Sequence, residues 1–195
     1  FLIRLLTLQK KFMYKIVEWS EDLDLTDFYK EADAKGFVNN SNQKIMIDCF
    51  RNERMWNAWI LYKDDRAIGS VVAHSFDDVM GPNSFRILSR CCTLVRPKKG
   101  LVTAKRLVAE HQNLNDQFFL PKCIEWAGTE NLYATSNTSE AASQRLVHKY
   151  YFPTLEQLGI AEKIKDVHYR YTDQTVWKIN ANAFLSNLKK YPKWS

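Results

Sequence analysis

The chain has 195 residues, 46% of them hydrophobic and 26% charged, a balance typical of soluble globular proteins that disfavours disorder, a collagen-like repeat and a membrane span. That length holds one domain or at most two small ones. Lys and Arg number 28 against 22 Asp and Glu, a formal net charge of +6, which points to an anionic partner: nucleic acid, a membrane surface or a phosphate-bearing small molecule.

Residues 1–12, FLIRLLTLQKKF, form an apolar and basic stretch too short to span a bilayer and without a signal-peptide cleavage site. We read Met13 as the native start and 1–12 as a leader or non-native extension, with a membrane-surface or partner helix as the competing reading. Residues 13–195 then form a single domain. Segment 14–20 alternates polar and apolar residues and predicts a first strand. Thr26 caps a helix over 26–35 that stops at Gly36, and Ser41 caps a second with Ile45, Met46, Cys49 and Phe50 on one face.

At Asn57 the period changes. Runs 58–62 and 67–74 read as strands joined by a hairpin at 63–66, followed by a turn at 77–83 containing Gly81-Pro82 and a long strand at 84–95. Helical spacing returns over 101–114. Segment 115–121 reads as a looser connection, 123–126 and 131–136 as short strands, and 139–151 as a helix that Pro153 breaks or kinks. A helical turn ending at Gly159, a hairpin of 167–171 and 175–179 around Asp173-Gln174, and a short helix at 182–191 complete the chain. The order is mixed α/β, an antiparallel meander first and a strand-to-helix crossover in the middle.

Four cysteines, at 49, 91, 92 and 123, form no CxxC pair and have no His at zinc spacing, so neither a metal site nor a disulfide framework is indicated. Reduced core cysteines fit a cytoplasmic protein. The basic charge, by contrast, is concentrated: 7 of the 28 basic residues and no acidic one fall between Arg86 and Arg106. This segment runs strand, Pro97-Lys98-Lys99-Gly100 turn, helix, and the backbone N–H groups at such a helix start form an anion site suited to a pyrophosphate.

The strand order, the Asp64-Asp65-Arg66-Ala67-Ile68-Gly69 hairpin and Val95-x-Pro97-x-Lys99-Gly100 before a helix together resemble the GNAT acetyltransferase superfamily over nearly all of 13–179. The resemblance implies one α/β domain with a twisted, mostly antiparallel sheet of about six to seven strands. It also implies acetyl-CoA as co-substrate and transfer of the acetyl group to an amine by direct attack on the thioester. In that family the turn after the fourth strand wraps the pyrophosphate, which transfers here to Lys98, Lys99, Gly100, Leu101, Val102, Thr103 and Ala104. Val102 stands where the family has a glycine. Thr93 or Leu94, with Val95 beside them, occupy the strand end that supplies the carbonyl-binding N–H, and Asn137 matches the Asn that follows the fifth strand.

The segment Leu155-Glu156-Gln157-Leu158-Gly159-Ile160 matches the family's helix ending, but Leu155 replaces the Tyr that protonates the departing thiolate. Tyr150 and Tyr151 are the nearest substitutes. The fourth strand carries no Asp or Glu, so His74, Glu125 and His148 are the candidate bases. The acceptor is a small-molecule or peptide amine, and homodimer formation stays open. The competing expectation is a catalytically inactive binding module of the same fold, contacting nucleic acid through its basic turn.

Overall fold

A computed structural model describes residues 13–34, 50, 52–94, 113–138, 147–170 and 172–188. Among these residues seven strands form one sheet in the order β1-β2-β3-β4-β5-β7-β6, with β1 at Tyr14–Glu18, β2 at Trp56–Lys63, β3 at Arg66–Ser75, β4 at Phe85–Thr93, β5 at Leu132–Asn137, β6 at Ala161–Tyr169 and β7 at Thr172–Ile179. Every neighbouring pair is antiparallel except β4 and β5, which run parallel.

Helices cover both faces. Helix α1 (Thr26–Ala34) buries Phe28, Tyr29 and Ala32 against Ile60, Cys92 and Leu94. On the other face, α3 (Leu120–Ala127) and α4 (Phe152–Gln157) join Trp59, Val71, Ile87, Leu132 and Trp177 in the largest apolar cluster, which α5 (Ala181–Leu188) closes with Ala181 and Phe184. A single helical turn, α2 (Asp77–Met80), links β3 to β4. Burial of these side chains, each contributing roughly 1.5–3 kcal/mol, is what seats the helices.

Two glycines act where the family-like hairpin and helix ending need them. A Cβ on Gly69 comes within 3.0 Å of the Cys92 carbonyl oxygen and of Phe119 Cζ, so glycine lets β3, β4 and the helix packed on them approach. Gly159 takes φ of +68° and ends α4 in the left-handed region.

The structure corrects several element boundaries. Segment 115–127 is helical throughout, a π-helical turn at Asn115–Phe119 running into α3, so Cys123–Trp126 is not a strand. Pro121 lies at the start of α3 and Pro153 at the start of α4, following a second π-turn at Val147–Tyr151. Each proline thus follows directly on a π-turn, whose wider winding accommodates the ring and the missing N–H, and neither ends the helical path. The last hairpin turns earlier than expected, with Tyr169 opposite Thr172 and Arg170 at φ of +47°. Residues 1–12, the second helix before Phe50, the basic turn at 95–104 and the first half of the helix at 139–151 lie outside the described residues. Among the described residues no helix is long and apolar enough to cross a membrane.

Candidate active site

The parallel pair β4 and β5 is joined only at its start, Phe85 opposite Leu132 and Arg86 opposite Tyr133. Beyond that point Ala134–Asn137 stay paired to β7, and β4 stays with β3. Its register explains the parting: from Ser70 to Val72 to His74, two steps on β3 are matched by three on β4, from Cys92 to Ser89 to Arg86. Two extra residues therefore bulge from β4, with Leu88 at φ of +54°, and such bulges bend a strand away from its neighbour. A V-shaped opening results between the carboxyl-terminal halves of β4 and β5.

Thr93 and Asn137 end the two parallel strands and so flank the wide end of that opening. The N–H of Leu94 donates to the Ile68 carbonyl at 2.6 Å. Backbone groups alternate between edges along an antiparallel strand, so the N–H of Thr93, opposite Gly69, projects from the other edge toward β5. Of the two residues expected to supply a carbonyl-binding N–H, Leu94 directs its N–H to β3 and Thr93 directs its own to the β5 side. Val95, Lys98, Lys99, Gly100, Leu101, Val102, Thr103 and Ala104 lie outside the described residues.

Three further polar pairs lie along the rims. On the β4 side, the Cys91 thiol donates to Asn115 Oδ1 at 3.1 Å. Next to Asn115, the buried carboxylate of Asp116 accepts a bond from the Tyr151 hydroxyl at 2.9 Å. Burial, with one phenol donor set against it, pushes the Asp116 carboxyl up to about 6. Tyr151 is only 3% exposed and packs edge-on to Phe152, which stacks on Trp177.

On the β5 side, buried Ser136 accepts from Trp177 Nε1 at 2.8 Å and lies 2.9 Å from His148 Nδ1. An indole N–H only donates, so Ser136 Oγ is an acceptor toward Trp177 and keeps one O–H and one lone pair with which to meet His148 Nδ1. The contact ties the His148 ring to β5 through Nδ1 and places this candidate base on the β5 side.

The other candidates lie elsewhere. Glu125 is on α3, exposed and paired with Lys122 one turn earlier at 2.6 Å, and the helix does not bring it to the Asp116–Tyr151 pair. Tyr150 is 44% exposed, with Lys149 over its ring. His74 is fully buried beside Phe50 and Phe76, its Nδ1 2.7 Å from the Ser75 carbonyl oxygen and 3.6 Å from Glu53 Oε2. Burial holds its ring below the ordinary histidine range, the Glu53 carboxylate only partly offsetting it. Leu155 is buried in the main cluster, so its position offers the site no polar group.

Sequence reasoning missed Asp116 and Ser136. Apolar residues at 114, 118, 119, 120, 123 and 124 carry a helical period straight through Asp116, the one signal that a carboxylate is being drawn inside.

No protein-family profile and no curated protein sequence matches the chain. Solved structures do. A protein assigned to the GNAT family of acetyltransferases from Desulfovibrio desulfuricans superposes with a TM-score of 0.52 at 7% identity, over 86% of this chain and 99% of its own. FeeM, an N-acyl amino acid synthase from uncultured soil microbes, gives 0.52 at 8% identity, over 90% and 94%. Another structure, assigned as an acetyltransferase, gives 0.55 at 10% identity over 94% and 95%.

Proposed function

The chain has the GNAT fold, and we propose that it is an acyl-CoA-dependent N-acyltransferase, with acetyl-CoA as donor and an amine as acceptor. One observation carries this reading: β4, bulged twice, parts from β5 just where a thioester arm needs to pass between strands, and the Thr93 N–H is turned into that gap. The residues present fit such a substrate. Thr93 supplies a backbone donor, Asn137 stands across from it, and the basic run Lys98-Lys99-Gly100 follows Thr93 closely in the sequence, bringing charge that favours phosphate.

Bound there, acetyl-CoA supplies an acyl carbonyl activated by a thiolate leaving group. The chain's own contributions follow from position. The Thr93 N–H holds the carbonyl oxygen as negative charge develops on it. Tyr151 keeps a phenolic proton within the helical rim, taking the role that Leu155 cannot fill. His148, held by Ser136 through Nδ1, brings its imidazole to the β5 rim. The acceptor class rests on the fold, in which FeeM, by its name, makes N-acyl amino acids.

Thiol release from acetyl-CoA in the presence of amino acid, polyamine and peptide amines tests the reading. Replacing Thr93 by Pro deletes the one N–H in question without touching the β3 ladder, and is expected to lower turnover about 100-fold while KM changes little. Lys99→Glu is expected to raise the KM for acetyl-CoA about tenfold by placing a carboxylate beside the phosphates. Absence of thiol release with every amine class leaves the inactive binding module as the reading that stands.

A further inference from the structure

The Asp116–Tyr151 hydrogen bond joins two helical segments that meet above the parting of β4 and β5. From Asp116 the path runs through neighbouring Asn115 to Cys91 on β4. From Tyr151 it runs through Phe152 and Trp177 to Ser136 on β5. Each partner sits on a π-turn, Asn115–Phe119 and Val147–Tyr151, a local widening found often at functional sites because it re-aims a side chain. Both groups are buried, at 9% and 3% exposure. An apolar pair of the same shape would fill this volume without the cost of burying a carboxyl group.

We propose that Asp116 is a positioning residue that acts through Tyr151: the two form a proton relay in which Asp116, when protonated, recharges the phenol that protonates the departing thiolate. This rests on the acyltransferase reading. The step balances as follows. The Tyr151 O–H bond breaks as an S–H bond forms on the thiolate. The Asp116 carboxyl proton passes to the phenolate oxygen over the existing 2.9 Å contact. The carboxylate left behind recovers a proton from solvent before the next turnover.

The charge state of Asp116 then decides where the phenol hydrogen points. An ionised carboxylate holds it as acceptor, away from sulfur. A protonated carboxyl donates to the phenol oxygen and turns the hydrogen outward. Among the described residues, the titratable groups around Asp116 are Tyr151 on the opposing helical segment, Cys91 on β4, bonded to neighbouring Asn115, and Cys123 on α3. Burial raises both thiols, Cys123 to about 12, so neither is charged at neutral pH, and the Asp116 shift owes nothing to a neighbouring ion.

Asp116→Asn preserves the acceptor for the Tyr151 hydroxyl and cannot titrate. In the full chain without substrate, carbon-13 resonances of labelled aspartate are expected to include one carboxyl titrating near pH 6 that the Asn variant lacks. In thiol release from acetyl-CoA, the unsubstituted chain is expected to exceed Asp116→Asn about tenfold near pH 5 in kcat, the two converging toward about pH 8, with KM within about twofold throughout. Tyr151→Phe is expected to lose about 100-fold in kcat and to abolish the difference that the Asn substitution makes. Thiol release with the same pH profile in the Asn variant as in the unsubstituted chain overturns the relay alone. No thiol release from the unsubstituted chain overturns the acyltransferase reading and the relay with it.

Discussion

Two carboxylates on opposite sides of the sheet, half-buried Glu53 and buried Asp116, are shifted in opposite directions. Glu53 is desolvated, which raises it, yet His74, the Arg170 guanidinium and the Ser75 hydroxyl together bring it below the ordinary carboxylate range. Asp116 is raised by burial, with the Tyr151 phenol as the one opposing donor among the described residues, and ends near 6. The Glu53 cluster also spans the fold: Arg170 lies between the Phe50 and Tyr169 rings and ion-pairs with Glu53, fastening the β6–β7 turn to the segment before β2. One region has met the demands of its charge and serves the architecture. The other leaves a charge poorly met, an arrangement that costs stability and is characteristic of sites doing chemistry.

If that contrast is right, the same chemical change has opposite effects in the two places. Glu53→Gln removes the charge facing Arg170 and is expected to cost about 3 kcal/mol, read as a lower urea midpoint near neutral pH. The pH dependence has a matching sign. Since the folded-state affinity of Glu53 for a proton is depressed, its contribution is present above about pH 4.5 and is lost as pH falls through the folded value.

Asp116→Asn is expected to raise stability by about 2 kcal/mol at pH 8 and to change it little near pH 4. A carboxyl raised from 3.8 to about 6 stabilises the fold fully only below its unfolded value and loses that contribution as pH rises through about 6. Denaturant midpoints measured across this range check it, and a loss of stability at pH 8 would break the comparison.

Smaller effects sharpen it. Gly69→Ala forces a Cβ against Phe119, one turn beyond Asp116, and is expected to cost about 1–2 kcal/mol by the same denaturant measurement. Trp177→Phe deletes the donor to Ser136 and is expected to cost about 1 kcal/mol, with a shift in the His148 ring resonances as the Ser136 hydroxyl reorients. Tyr150→Phe, on the exposed side of the same π-turn as Tyr151, is expected to change stability by less than about 0.5 kcal/mol and to leave thiol release as it was.

How much of this was legible in the chain depends on the range of the interaction that decides each feature. The 63–66 hairpin, Gly69 and the Gly159 stop are local and were readable, since turn chemistry and helix endings are written within a few residues. Segment 123–126 misleads as a strand because Pro121 looks like a breaker until the π-turn before it has placed it at a helix start. Strand β6 begins at Ala161 without an alternating signal, since most of its residues are exposed at the sheet edge. The Asp173-Gln174 pair has turn-like residues, yet Gln174 is buried and bonded to Tyr169 and Thr172, which only the neighbouring strands dictate.

The site divides the same way. Thr93 and Asn137 stand at strand ends that a motif can mark. The β4 bulges, by contrast, depend on register against β3, and Asp116 finds its partner 35 residues away. The Glu53–Arg170 pair joins residues 117 apart. No spacing rule predicts such meetings; they follow from how the helices and the β6–β7 hairpin close on the sheet.

Calorimetric titration of the full chain with coenzyme A tests the central claim most directly. The V-shaped opening and the basic run around Lys98 and Lys99 in the sequence predict saturable binding of one molecule per chain with micromolar affinity, weakened by Lys99→Glu and by added salt. No heat of binding at millimolar coenzyme A contradicts it.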